Sequence, residues 1–136
     1  MKTKTIKALK VEPKKKPCEY TLVNELSELQ KAVSIGADNV GLIEIIDLEE
    51  DVCLLCNEEG KLIGLEPNRR LGNDILCGVF YIIGQDRCGN LTSLSDRAMR
   101  FYKILFNEPE VIDPDEVEGC IGMRFEIMED NSEFNY

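Results

Sequence analysis

The chain of 136 residues is 43% hydrophobic and contains no tryptophan, which is typical of a single globular domain with an aliphatic core. It has no run of about 18 consecutive apolar residues, so a membrane-spanning helix is not expected. The lysine-rich N-terminus lacks the apolar segment of a secretory signal, and we therefore expect a cytoplasmic protein without membrane contact.

The charge is distributed unevenly along the chain. Residues 1–16 contain seven lysines and one glutamate, a net charge of +6, whereas residues 17–136 contain nine basic and 25 acidic residues, a net charge of −16. Such an acidic body repels nucleic-acid phosphates and attracts basic surfaces. Direct nucleic-acid binding is therefore not expected. The acidity indicates either a solubilising surface or a mimic of a nucleic-acid backbone.

The six cysteines include one C-x-x-C motif, Cys53 and Cys56. The motif lies in an apolar run that predicts a strand, where positions three apart face opposite sides. The chain has no histidine and no second C-x-x-C, so neither a zinc site nor another metal or cofactor is expected. Buried free thiols are the expected state.

Hydrophobic periodicity and turn residues predict the elements of the first half of the chain. In order, these are a strand at residues 6–12, a lysine-rich turn, a strand at 18–23, a helix at about 25–35 capped by Asn24, and a strand at 40–48.

The stretch from residue 51 to residue 84 is the most informative. Two apolar runs, 52–56 and 61–65, flank the tetrad Asn57, Glu58, Glu59 and Gly60, a pattern that predicts a β-hairpin. Residues 67–73 predict a turn, and the apolar run 75–84 predicts a central strand with a bulge or close approach at its internal glycine.

The remaining residues predict a helix capped by Ser95 and ending near Asn107, an acidic linker at 108–118, an edge strand at 122–128 and a frayed tail. We therefore expect an α+β fold, with a mainly antiparallel sheet of about five to seven strands and two helices packed on one face. Residues 1–106 form the main domain, and residues 107–136 form an acidic extension packed on it.

The segments NELSELQKAV, CNEEGKLIGLEPNRRL, ILCGVFYIIG and SLSDRAMRFYKILF together resemble a family of small proteins of unknown function. The family is encoded by phages, plasmids and conjugative elements of Gram-positive gut bacteria. The resemblance covers about residues 7–106, and Arg70 and the short 72–73 turn depart from it. The positions that fall on the family pattern are Asn57, Glu58, Glu59, Gly60, Lys61, Leu62, Gly64, Leu65, Asn68 and Arg69. The resemblance implies a mobile-element origin and a bacterial host, but no activity.

No catalytic constellation is predicted. The sequence lacks histidine, G-x-S-x-G, G-x-x-x-x-G-K-[ST] and G-x-G-x-x-G motifs. Glu58 and Glu59 are neighbours on one turn, whereas paired catalytic acids usually face each other from separate elements. A non-enzymatic protein is therefore expected.

The first functional hypothesis is an acidic interaction protein that inhibits a host defence nuclease or another nucleic-acid-handling protein, of the anti-restriction or anti-CRISPR type. Its acidic surface would compete with nucleic acid for a basic channel. The candidate partner-binding residues, each of which is also explained by an ordinary solvated surface, are Glu49, Glu50, Asp51, Glu108, Glu110, Asp113, Asp115, Glu116 and Glu118.

The alternative is a small-ligand binder that sequesters an anionic, nucleotide-like metabolite, because arginine forks suit phosphates. The candidate residues are Asn57, Glu58, Asn68, Arg69 and Arg70. A structural explanation competes with this one, in which Arg69 or Arg70 pairs with Glu58, Glu59 or Asp74. A homodimer through an edge strand of the tail or through Phe125 also remains open.

Overall fold

The computed structural model describes residues 4–119, so the predicted strand at 122–128 and the tail lie outside the described residues. Residues 114–119 are also helical. The other elements are β1 (Thr5–Val11), β2 (Cys18–Val23), α1 (Leu26–Ala32), β3 (Ile43–Glu49), β4 (Val52–Asn57), β5 (Pro67–Leu71), β6 (Asp74–Cys77), β7 (Phe80–Gln85), β8 (Leu91–Thr92) and α2 (Asp96–Leu105).

Six strands form the main sheet, in the order β2-β1-β7-β4-β3, with β8 pairing with the end of β7. Strands β5 and β6 form a separate two-stranded sheet. The pairings among the described strands are antiparallel. The predicted α+β class and mainly antiparallel sheet are confirmed. The predicted first hairpin corresponds to β1 and β2.

The two longer helices lie on opposite faces of the sheet, whereas one common face was expected. In β4, Val52, Leu54 and Cys56 belong to the core cluster that contains the buried side chains of α2. Cys53 and Leu55 belong to the cluster that contains the buried side chains of α1. The central strands are apolar on both faces, so each face needs its own cover.

The predicted hairpin of residues 52–56 and 61–65 is wrong. Strand β4 pairs with β3 on one side and with β7 on the other, which leaves it no free edge. Residues 58–64 form consecutive turns instead, and the N–H of Leu65 donates to the carbonyl of Gly60 at 3.0 Å. A Cβ at Gly60 would lie 2.6 Å from the carbonyl oxygen of Cys77, so this turn requires glycine.

The predicted turn at residues 67–73 is also wrong for most of its length, because it contains strand β5. The tight turn lies between β5 and β6, where Gly72 has a φ of 59°. The predicted strand 75–84 is divided at Gly78, whose φ is 85°. A Cβ at Gly78 would lie 2.7 Å from Leu65 Cδ1, so the close approach expected there is present.

The ends of several elements differ from expectation. Helix α1 has Glu25 rather than Asn24 at its N-cap and has no side-chain cap hydrogen bond. Helix α2 is capped by Ser95, which accepts from the N–H of Ala98 at 3.2 Å. Strand β3 begins at Ile43, and residues 114–119 of the predicted linker are helical. Within residues 4–119, no helix is long and apolar enough to cross a membrane.

Candidate functional site

Asn68 lies on β5 and is completely buried. Its Nδ2 donates to the carbonyl of Val11 at the end of β1 and to the carbonyl of Gly78 at the bend between β6 and β7, each at 2.9 Å. These two hydrogen bonds tie the small sheet to the main sheet. The side chain of Asn68 is therefore used by the fold.

Arg69 is 1% exposed, and five hydrogen bonds engage its guanidinium. Nε and Nη2 donate to the carbonyl of Phe106 at 3.2 and 3.0 Å, and Nη2 donates to the carbonyl of Lys15 at 2.7 Å. Nη1 donates to Oδ1 and the carbonyl of Asn68 at 2.8 and 3.3 Å. Burial lowers the pKa of Arg69, and Glu110 opposes this effect. Because a guanidinium has five N–H donors, none is left for a ligand.

Arg70 points outward and holds two acids of the C-terminal segment. Its Nη1 lies 2.8 Å from Glu110 Oε1, and its Nη2 lies 2.8 Å from Glu116 Oε2. The hydrogen bonds that Arg70 donates to Glu116 and Glu110 raise the pKa of its guanidinium. The partners are thus not Glu58, Glu59 or Asp74, which the sequence offered as candidates. Lys61, rather than an arginine, pairs with Asp74.

The turn cluster consists of Glu49, the last residue of β3, and of Glu50 and Asp51, which connect β3 to β4. Glu49 accepts from the Tyr102 hydroxyl at 2.7 Å and lies 3.2 Å from Arg97 of α2. Burial, together with the Glu49 carboxylate, raises the pKa of Tyr102, so this hydroxyl remains a donor. Glu50 and Asp51 are exposed.

The segment cluster, which follows α2, consists of Glu108, Glu110, Asp113, Asp115, Glu116 and Glu118. Ile112 and Val117 pack on a small apolar cluster of Leu65, Ile75 and Cys77, which holds the segment against the domain. Two of its acids, Glu110 and Glu116, bind Arg70, and the exposed acids Glu108, Asp113, Asp115 and Glu118 face solvent.

The turn cluster and the segment cluster lie at opposite ends of the main sheet. Strand β4 begins at Val52, beside the turn cluster, and ends at Asn57, whose carbonyl accepts from the N–H of Gly60. Gly60 in turn lies against Cys77, which belongs to the apolar cluster under the acidic segment. A strand of six residues spans about 20 Å, so the predicted partner-binding residues do not form one continuous patch.

A cavity of about 270 Å³ opens between residues 36–41 and residues 57–63. Its lining residues include the acids Asp38 and Glu59, the apolar residues Val40 and Ile63, and Asn57. The ligand-binding candidates predicted from the sequence separate here: Asn57 lines this cavity, whereas Glu58, Asn68, Arg69 and Arg70 do not.

A hydrogen-bond network centred on Asn57 holds the two sides of this cavity in place. Its Oδ1 accepts from the N–H of Glu59 at 2.9 Å, and its Nδ2 donates to Ser34 Oγ at 3.3 Å. Ser34 Oγ also accepts from the N–H of Gly41 at 2.9 Å. A Cβ at Gly41 would lie 2.9 Å from Asn57 Nδ2, so a larger residue here would displace the Asn57 amide.

The sequence model of one protein family, described as a domain of unknown function (DUF3846), matches residues 6–107. The chain belongs to the DUF3846 family. Comparison with curated proteins and comparison with solved structures each gave no match. The Asn57 network, the cavity and the buried pair Asn68 and Arg69 all lie inside the DUF3846 match, whereas the segment cluster lies beyond its end.

The cysteines of this DUF3846 domain do not assemble into a site among residues 4–119. Cys53 and Cys56 face opposite sides of β4, as strand alternation predicted. Burial, with a smaller contribution from Asp47, raises the pKa of the Cys53 thiol to about 11. No group of three or more potential ligands in the described part of the chain could hold a metal ion.

Sequence reasoning missed the cavity, although part of its signal was visible. The tetrad that begins with Asn57 was recognised, but it was interpreted as a hairpin tip. The sequence predicts a helix that ends at about residue 35 and a strand that begins at residue 40, so it does not predict the loop of residues 36–41. Val40 and Leu42 were assigned to that strand, yet they are 59% and 61% exposed in the loop before β3.

Proposed function

We propose that this DUF3846 protein is a non-enzymatic, acidic interaction protein of a mobile genetic element, which acts in the bacterial cytoplasm. Its partner is a host defence nuclease or another nucleic-acid-handling protein, as in anti-restriction and anti-CRISPR inhibitors. Its acidic surfaces occupy the basic channel in which that protein holds nucleic acid. The protein itself does not bind nucleic acid.

The exposed acids carry this proposal. Within residues 4–119, no ion pair involves Glu50 or Asp51 of the turn cluster, or Glu108, Asp113, Asp115 or Glu118 of the segment cluster. Carboxylates that are not neutralised within the protein retain their full attraction for a lysine- or arginine-lined surface. Such attraction accelerates association and weakens as salt screens it.

The alternative of an anionic ligand at Asn68, Arg69 and Arg70 receives less support. Every N–H of the Arg69 guanidinium has a protein acceptor, and Arg70 binds Glu110 and Glu116. An anion would have to displace two carboxylates from Arg70 and would gain nothing from the buried Arg69.

The test is a pull-down from a bacterial host lysate at low and high salt, followed by an assay of any captured nuclease. We expect a nucleic-acid-handling protein to be retained at low salt, released at high salt and inhibited while bound. The double variant Asp115→Asn/Glu118→Gln should weaken capture. The control Glu19→Gln/Glu25→Gln, which removes the same charge outside both clusters, should not.

Two results would contradict the proposal. The first is that no nucleic-acid-handling protein is retained at low salt. The second is that the captured protein remains equally bound at high salt and to the Asp115→Asn/Glu118→Gln variant, since recognition would then not depend on the acidic surface.

A further inference from the structure

The walls of the cavity between residues 36–41 and 57–63 combine two chemistries. The lining residues include the exposed acids Asp38 and Glu59, and Val40 and Ile63, which are 59% and 48% exposed. Arginine has the matching composition, with an apolar stem and a cationic head. Its planar guanidinium can also donate to two carboxylates at once.

The cavity lies at the lower limit of the volumes of small-molecule pockets, and a single side chain fits in it. Pockets for small-molecule ligands usually have volumes of about 300–1,000 Å³, and this open cavity has about 270 Å³. We propose that it is the anchor site for one arginine side chain of the basic protein partner. The choice of partner rests on the proposed function, whereas the anchor site itself rests on the cavity.

The anchor site is formed before any ligand arrives. The network of Asn57, Ser34 and Gly41 fixes both loops, and the N–H of Glu58 donates to the carbonyl of Leu42 at 3.0 Å. A site that is already ordered loses less conformational freedom when it binds. The arginine therefore enters a fixed pocket rather than a flexible loop.

The surroundings of the pocket suit a protein partner. Ile35 and Leu42 on one loop, and Leu62 on the other, are each more than half exposed. Exposed apolar side chains around a pocket are typical of protein interfaces, where they exclude water from a central anchor residue. Arginine is one of the residues enriched at such anchors.

The pocket also lies at the same end of the molecule as the segment cluster. Ala37, which lines the cavity, packs against the apolar cluster that supports Ile112 and Val117 of the acidic segment. A basic partner that inserts an arginine between Asp38 and Glu59 is therefore close to the exposed acids that follow residue 112. The turn cluster, about 20 Å away at the other end of the sheet, is not part of this contact.

The test is an NMR titration of the full chain with N-acetyl-arginine amide and with its neutral counterpart, N-acetyl-citrulline amide. We expect arginine to shift the amide resonances of residues 36–41 and 57–63, and citrulline to bind at least about tenfold more weakly. Asp38→Asn/Glu59→Gln should reduce the arginine affinity about tenfold. The control Glu19→Gln/Glu25→Gln, which lies outside the cavity and both acidic clusters, should bind arginine as the native chain does.

Equal binding of citrulline, equal binding by the Asp38→Asn/Glu59→Gln variant, or shifts spread over all acidic surfaces would overturn the anchor site. Thermal unfolding of each variant checks that the fold is kept. If a nuclease is captured and inhibited equally well by Asp38→Asn/Glu59→Gln, the anchor site is wrong and the proposed function stands. If arginine binds as expected and no nucleic-acid-handling protein is captured, the anchor site stands and the proposed function is wrong.

Discussion

Asn68 and Asn57 are both buried asparagines that tie together segments distant in the sequence, but their surroundings differ. Asn68 donates to two carbonyls and accepts from Arg69, whose remaining donors are taken by Phe106 and Lys15. Asn57 bonds to Ser34 and to the N–H of Glu59, and then borders an open cavity. The donors of the Asn68 network all bind acceptors within the protein. The Asn57 network borders an open cavity that a ligand can enter.

The difference shows how little a distinctive polar motif says about binding. The Asn68 and Arg69 pair offers attractive chemistry for an anion when only the sequence is considered. In the folded protein, the donors of these groups are taken up by backbone carbonyls and by Oδ1 of Asn68 itself. A binding site requires polar groups that remain accessible after the fold has used the others, and those lie beside Asn57.

The largest effect is expected for Arg69→Met. The substitution leaves the carbonyls of Lys15 and Phe106 without their donors, at about 1–3 kcal/mol each. We therefore expect the free energy of unfolding to fall by about 3 kcal/mol or more, measured by urea denaturation. Arg100→Met on the exposed face of α2 is the control and should change stability by less than about 0.5 kcal/mol. Equal effects of the two substitutions would show that the Arg69 network does not stabilise the fold.

A smaller effect is expected for Asn57→Ala. Two hydrogen bonds are lost, so we expect about 1–3 kcal/mol of destabilisation. Hydrogen exchange of the Glu59 amide should accelerate, since its acceptor is removed, and the affinity for N-acetyl-arginine amide should fall although both carboxylates remain. Asn107→Ala, which removes one exposed hydrogen bond outside the cavity, is the control. Unchanged exchange at Glu59 would show that Asn57 does not order the cavity.

The strands of the main sheet were largely predictable, since their signals are local. Alternating or continuous apolar residues mark β1, β4 and β7, and the sequence needs no further information to favour strands there. The hairpin after β4 was misassigned because residues 61–65 also have the composition of a strand. The edges of β4 are occupied by β3 and β7, and this long-range fact is not visible in the local pattern.

The role of Arg69 was unpredictable for the same reason. Its acceptors at Lys15 and Phe106 lie 54 and 37 positions away in the chain. Arginine is also seldom fully buried, so an exposed role was the natural expectation. The cavity forms because residues 36–41 lie next to residues 57–63 in the fold. The sequence of neither loop predicts this contact.

The smallest effect is expected for Arg70→Gln, although among residues 4–119 Arg70 forms two ion pairs and Arg69 forms none. Both pairs are at the surface, where water and salt screen them, so the loss in the free energy of unfolding should be small. The loss should shrink at about 1 M salt. Hydrogen exchange of residues 110–117 should rise slightly, because Ile112 and Val117 still hold the segment.

Arg97→Gln, which removes one exposed ion pair to Glu49, is the matched control for Arg70→Gln and should have a similar, small effect. Arg69 and Arg70 are neighbours on β5, so the comparison tests how location changes the contribution of an arginine to stability. We expect a large contribution where the side chain is buried among carbonyls and a small one where it meets acids in water. If Arg70→Gln proved as destabilising as Arg69→Met, the acidic segment would be part of the folded core. It would then be unsuitable as an exposed surface for a basic partner.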